Sequence, residues 1–166
     1  NPQITFFKVV YRRHTNFSME SIQQTWNGTS SGANGRCTAT ISRNGDLVYK
    51  MYLEVEGTVH GTGKNNPMSR LIDTIEVEIG GQQIDKHTGT WLETWAELTE
   101  PNPTGTVAFH VTASQDLGTA FQRMSGMGGV TGVNSTSGHL HFVPLRFWFC
   151  RNPGLALPLI ALQYHE

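Results

Sequence analysis

Two short runs near the middle of the chain set the fold class. In "RCTATIS" (36–42), Cys37, Ala39 and Ile41 alternate with Thr38, Thr40 and Ser42; in "LVYKMYLEVE" (47–56), Leu47, Tyr49, Met51, Leu53 and Val55 alternate with mostly polar neighbours. A period of two puts the apolar side chains on one face of an extended chain, whereas a helix needs a period near 3.6. Both runs are therefore half-buried β-strands. The joining "RNGD" contains Asn44-Gly45, the usual pair of a two-residue type I′ turn. Such a turn would set Ile41 opposite Val48 and mismatch the apolar faces. A three-residue loop, Arg43-Asn44-Gly45, instead pairs Ile41 with Leu47, Ala39 with Tyr49 and Cys37 with Met51. The expectation is a hairpin with Gly45 in the left-handed position of a G1 bulge.

Strand character extends along the chain. "QITFFKVVYRR" (3–13) is apolar on both parities, with Ile4, Phe6 and Val10 against Phe7, Val9 and Tyr11, so it predicts a strand covered on both faces. "NFSMESIQQTW" (16–26) reads as a polar strand followed by a loop, 27–35. In "LIDTIEVEIGGQQID" (71–85), Ile75, Val77 and Ile79 point inward and Glu76 and Glu78 outward, and Gly80-Gly81 ends the strand. One helix is expected, "TWLETWAELTEP" (90–101). Thr90 and Glu93 form its capping box, Trp91, Trp95 and Leu98 share one face, and Pro101 stops it. Its two tryptophans suit an anchor plugging one end of a β core. Residues 101–138 are mostly Gly, Thr, Ser, Asn and Met, with a strand at "TVAFHVTA" and another short segment near "LGTAFQRM". So long an excursion in a compact domain is usually functional or used in interaction. "HLHFVPLRFWFC" (139–150) resumes an apolar strand, "RNPG" turns, and "LPLIALQYHE" begins another strand. The uninterrupted apolar run there, Gly154 to Leu162, is nine residues long and contains Pro158. A spanning helix needs about 20 apolar residues, so this one cannot cross a bilayer.

Composition narrows the functions. The chain has 166 residues, enough for one domain with a real core. Net charge is −1 and charged residues are 15% of the chain, against about 25% in an average soluble protein. A nucleic-acid surface needs a basic stripe, and no such stripe is present. Low charge instead suits a protein whose outside is covered by other subunits. Cys37 and Cys150 have neither disulfide-framework nor metal-ligand spacing and read as reduced, inert thiols. No nucleophile elbow, phosphate loop or zinc-spaced cysteine pair occurs, and no cofactor is expected. His139-Leu140-His141 has the His-x-His spacing of cupin metalloenzymes, but Val143 to Arg146 lack the carboxylate such a site requires. The two are read as strand-edge histidines near a loop. Asn16, Asn27 and Asn134 head Asn-x-Ser/Thr sequons and are glycosylation candidates. No secretory signal precedes the first strand, and a lead-in is expected upstream.

Several blocks together are more specific than any of these motifs. "NPQITFFKVVYRRHTNFSMES", "TISRNGDLVYKMYL", "IEVEIGGQQIDKHTGTWLETWAELT" and "RFWFCRNPGLALPLIALQYHE" closely resemble the major capsid proteins of large nucleocytoplasmic DNA viruses, especially algal and giant amoebal viruses. The resemblance implies an all-β fold, an antiparallel jelly-roll β-sandwich forming the first, incomplete half of a double jelly roll, with one short helix near 90–100. Residues 1–166 would be that first jelly-roll domain, truncated at both ends, with the second jelly roll outside this chain. The implied role is structural and not enzymatic. The chain would self-associate into trimers that form pseudo-hexagonal capsomers tiling an icosahedral shell. Implied partners are further copies and minor capsid proteins, with no direct nucleic acid, and the place would be the virion, near an internal membrane and after assembly in the host cytoplasm. Arg12, Arg13 and His14 would reach a neighbouring subunit or lie at a solvated strand end. A carbohydrate-binding jelly roll is the alternative from a different class, since lectins share this architecture. A cupin-like metalloenzyme is the third.

Overall fold

The computed structural model describes residues 14–29, 35–56, 66–101, 107–108, 119–131 and 140–162. The expected strand over 3–13 lies outside them, as do Arg12 and Arg13. The chain divides into two units, residues 1–42 and 43–166.

In the first unit, β1 (Trp26–Gly28) pairs antiparallel with β2 (Cys37–Ala39), so that Trp26 faces Ala39 and Asn27 faces Thr38. The polar strand expected over 16–26 does not form; residues 16–25 are irregular. Their few apolar side chains supply no buried face, since Phe17 and Met19 are 79% and 74% exposed. Gln24 ties this segment down, its Oε1 accepting from the Ser42 amide and hydroxyl at 2.9 Å each.

In chain order the second unit holds β3 (Leu47–Val48), β4 (Tyr52–Glu56), α1 (Pro67–Leu71), β5 (Thr74–Ile79), β6 (Gln82–Thr88), α2 (Gly89–Thr99), β7 (Val107–Ala108), α3 (Ala120–Ser125), β8 (Val130–Thr131), β9 (Leu140–Pro144), α4 (Trp148–Arg151) and β10 (Leu157–Pro158). Short 3-10 turns cover Pro153–Leu155 and Leu159–Leu162. The pairs β3–β10, β4–β9 and β5–β6 are antiparallel, and the short β7–β8 pair is parallel.

Alternation holds where a face is buried. On β4, Leu53 and Val55 point inward opposite Val143 and His141 of β9, while Tyr52, Glu54 and Glu56 are exposed. The hairpin expected about Arg43-Asn44-Gly45 is not found. The partner of β2 is β1 and that of β3 is β10, and Gly45 is outside the left-handed region. Parity fails at Leu47, which is 61% exposed, because Val48 takes the inward place against the Phe147 cluster. The strand ended by Gly80-Gly81 proves to be the first half of a hairpin. Both glycines have positive φ, 61° and 77°, as a two-residue type I′ turn requires. Across it Glu76 faces Lys86 and pairs with it at 2.9 Å.

The helix foreseen near 90–100 is α2, but it starts earlier. Thr88 is the N-cap, its Oγ1 accepting from the Trp91 amide at 3.2 Å, so Thr90 and Glu93 make no capping box. With that start the buried face is Gly89, Leu92 and Ala96, and Leu98 points outward at 80% exposure. Gly89 is fixed by close approach to α1. A Cβ there would lie 1.9 Å from the Ser69 carbonyl oxygen and 2.3 Å from that of Ile72.

Two further departures follow from local chemistry. "LGTAFQRM" contains Thr119 and Gln122, which form a reciprocal capping box and start α3. The apolar run after β9 turns into α4, closed by the Cys150 amide donating to the Phe147 carbonyl at 2.9 Å. Adjacent Phe149 and Cys150 are both buried, which a strand facing a core on one side cannot provide. The core lies in two clusters, Met68–Leu92–Met127–Val143 and Leu145–Phe147–Phe149–Cys150. No helix among the described residues is long and apolar enough to cross a membrane.

Candidate functional site

Among the described residues of the second unit, a concentration of chemistry-bearing side chains surrounds the start of α2. His87 is the next-to-last residue of β6, and its side chain is 6% exposed. Trp91 stacks on one face at a centroid distance of 4.1 Å and Phe147 on the other at 4.8 Å. Trp95 continues the line beyond Trp91 at 5.5 Å, and Phe149 beyond Phe147 at 6.0 Å, with every interplanar angle between 17° and 21°. The guanidinium of Arg151 lies over Trp95 at 4.6 Å and Trp91 at 5.5 Å, within cation–π range. The Nε2 of His87 is 3.3 Å from Asp85 Oδ2, and its Nδ1 is buried without a hydrogen-bond partner. Burial lowers the ring's pKa, Asp85 opposes that shift, and Arg151 adds to it.

A second junction joins α2 to the turn at 126–129. Glu93 Oε1 accepts from the Gly128 amide at 2.9 Å, Asn66 Oδ1 from the Gly129 amide at 3.0 Å, and Gln122 Nε2 donates to the Gly128 carbonyl at 2.7 Å. Burial raises the Glu93 pKa, and the Gly128 amide and Ser69 hydroxyl partly offset it. Burial likewise raises the Cys150 thiol, which makes a poor nucleophile of it.

The residues singled out by sequence do not converge. His141 sits on β9 at 2% exposure, with Nδ1 3.3 Å from where a Cβ on Gly126 would lie. It is a core histidine and not the strand-edge group expected, because its parity on β9 matches Val143. His139 lies outside the described residues. Among the described residues no three His, Cys, Asp or Glu side chains gather to hold a metal ion. Asn16 and Asn27 are exposed, Asn27 on β1, and Asn134 lies outside the described residues. His14 is exposed. The stack itself was missed in the sequence, although His87, Trp91 and Trp95 recur at i, i+4 and i+8, which aligns them once Thr88 is taken as the cap.

Each unit carries large exposed apolar side chains. Phe17 and Met19 in the first unit and Leu98 and Ile160 in the second are each 74–80% exposed. Such exposed apolar residues suit association more than catalysis.

A family model described as the major capsid protein N-terminus matches residues 5–166. The chain belongs to this family. It is 51% identical to the major capsid protein of Pyramimonas orientalis virus and 45% identical to that of Paramecium bursaria Chlorella virus 1, in both cases over 100% of this chain. It spans 40% and 35% of the length of those two relatives. Among solved structures it resembles the crystal structure of PBCV-1 VP54 that was fitted into a cryo-EM reconstruction of the virophage Sputnik. That likeness has a TM-score of 0.70 and 41% identity, over 97% of this chain and 36% of the other. The fold is accordingly all-β, of the jelly-roll type of these capsid proteins. The helices among the described residues are short additions to it, three of them beyond the one read from sequence.

Proposed function

We propose that this chain is the first jelly-roll part of a virus major capsid protein, a structural subunit without enzymatic activity. The whole protein forms trimers, each a pseudo-hexagonal capsomer, and these tile an icosahedral shell. The observation that carries this reading is the end-to-end match to major capsid proteins, 51% identical over the whole chain in one case. The physical character of the molecule supports it. Charge is low, and large apolar side chains stand outside both units. A shell needs many repeated interfaces of moderate area and no chemistry. The partners are further copies and minor capsid proteins, without direct nucleic-acid contact. The place is the virion, near an internal membrane, following assembly in the host cytoplasm.

The test is the size of the full-length protein. Sedimentation at micromolar concentration is expected to give a trimer mass, and electron microscopy of concentrated samples hexagonal arrays. A protein that stays monomeric at tens of micromolar would sink the proposal.

A further inference from the structure

His87 is the titratable member of a five-ring stack, and its environment favours the neutral ring. The neutral ring has one N–H and one acceptor nitrogen. The Asp85 contact assigns the proton to Nε2, leaving Nδ1 as a buried acceptor without a partner. The imidazolium would carry a second N–H on that same buried nitrogen, and an unpaired buried donor is unfavourable, the more so when charged. Among the described residues the charged groups facing the ring are few. Its own strand supplies Asp85, which is partly exposed and also accepts from the Lys86 amide at 2.9 Å. From α4 comes Arg151, a second cation on the same stack. Opposite it β5 offers Ile75, which does not titrate. On α2 the contact is Trp91, while Glu93 is turned to Gly128. Beside Phe147, Arg146 is engaged with Glu100.

The ring is also a mechanical joint. It is the piece between α2, through Trp91, and the 147–149 segment, through Phe147, and it belongs to the β5–β6 hairpin. We propose that His87 is an acid-sensitive latch: as a neutral imidazole it holds α2 and the 147–149 segment against the β5–β6 hairpin, and taking up a proton releases them. The latch does not depend on the shell-forming role. The folded-state pKa is lowered, so the stabilisation is complete above the ordinary histidine value of about 6.5. It is lost as pH falls through the folded value.

Hydrogen exchange of the full-length protein, read by mass spectrometry on peptides covering 89–99 and corrected for intrinsic rates, tests this at pH 7.5, 6.5 and 5.5. In the wild type the opening constant of α2 amides is expected to rise on acidification, by at most about tenfold per pH unit. Amides of β4 and β9 should not follow. His87→Phe keeps a ring in the stack and should abolish the acid response. Arg151→Gln keeps the imidazole and should weaken the response, whatever its effect on the level at pH 7.5. Equal α2 protection at pH 7.5 and 5.5 in Glu93→Gln protein, which lacks the opposing slope of that α2 carboxyl, would overturn the latch, as would an undiminished acid response in His87→Phe. Should His87→Phe fail to fold at pH 7.5, Arg151→Gln decides, and an undiminished response there overturns it too.

Discussion

Replacing Gly89 by alanine probes the tightest approach among the described residues. The added Cβ would meet two backbone oxygens, at 1.9 Å from Ser69 and 2.3 Å from Ile72. Both belong to α1 or its C-cap, so no flexible side chain can swing aside. Restoring ordinary contact distance means moving α1 from α2 by roughly 1.5 Å. That movement would disturb Met68, which is fully buried and packs with Leu92, Met127 and Val143. Overpacking a core costs about 1–3 kcal/mol; a clash with rigid backbone on two sides places Gly89→Ala near the upper end, about 3 kcal/mol. For a domain of 150–250 residues this lowers the melting temperature by about 6–12 °C. Differential scanning calorimetry of the full-length protein measures it, with Gly45→Ala as the control. Gly45 has nothing within 4 Å and no left-handed φ, so alanine there should be neutral or stabilising by about 0.4–1 kcal/mol. A Gly89→Ala protein within about 0.5 kcal/mol of wild type would refute the close approach of α1 and α2. A strongly destabilised Gly45→Ala would revive the bulged hairpin instead.

Glu93 gives a pH dependence of its own. Its raised carboxyl pKa means that its contribution is full below the ordinary glutamate value and lost as pH rises through the folded value. Glu93→Gln, whose amide oxygen can still accept from Gly128, should remove that slope and be at least as stable as wild type at pH 8 in urea titrations. Lower stability with an unchanged slope would count against the buried-carboxyl account. The exposed sequons at Asn16 and Asn27, with Asn134, are candidates for N-linked glycan in protein taken from virions, which no secretory signal within these 166 residues supports. Peptide mass spectrometry before and after glycosidase treatment reads this directly, and wholly unmodified asparagines at all three positions would exclude it.

What sequence exposed and what it hid divides along a physical line. Period-two burial was legible on β4, at Leu53 and Val55, whereas on β5 Ile75 and Val77 meet the core but Glu76 between them is half-buried too. It misled at Leu47, where a neighbouring element claimed the other parity. Long-range pairing partners were not legible. The strand β3 joins β10 more than 100 residues away, and no local turn signal carries information about such a ladder. Asn44-Gly45 shows the converse, a strong turn dipeptide outvoted by tertiary contacts. Helix starts were decided by side-chain oxygens. Thr88 and Thr90 are both good caps by type, and only the stacking of Trp91 on His87, together with the close approach at Gly89, selects the first. The site was hidden for the same reason, since its line of rings exists only in the register that Thr88 sets.

This register gives α2 three tasks, each on different residues. Gly89 admits α1, Glu93 holds the 126–129 turn, and Trp91 stacks on the ring that meets the 147–149 segment. A one-residue shift along the helix would rotate all three by about 100° and break them together. The buried apolar core of the described residues is only eleven side chains, while Leu98 on the same helix is left outside. A protein that leaves large apolar groups exposed has less with which to hold its own elements in place. Stability then rests on a few polar and aromatic joints, and those joints, unlike a purely aliphatic core, respond to protons.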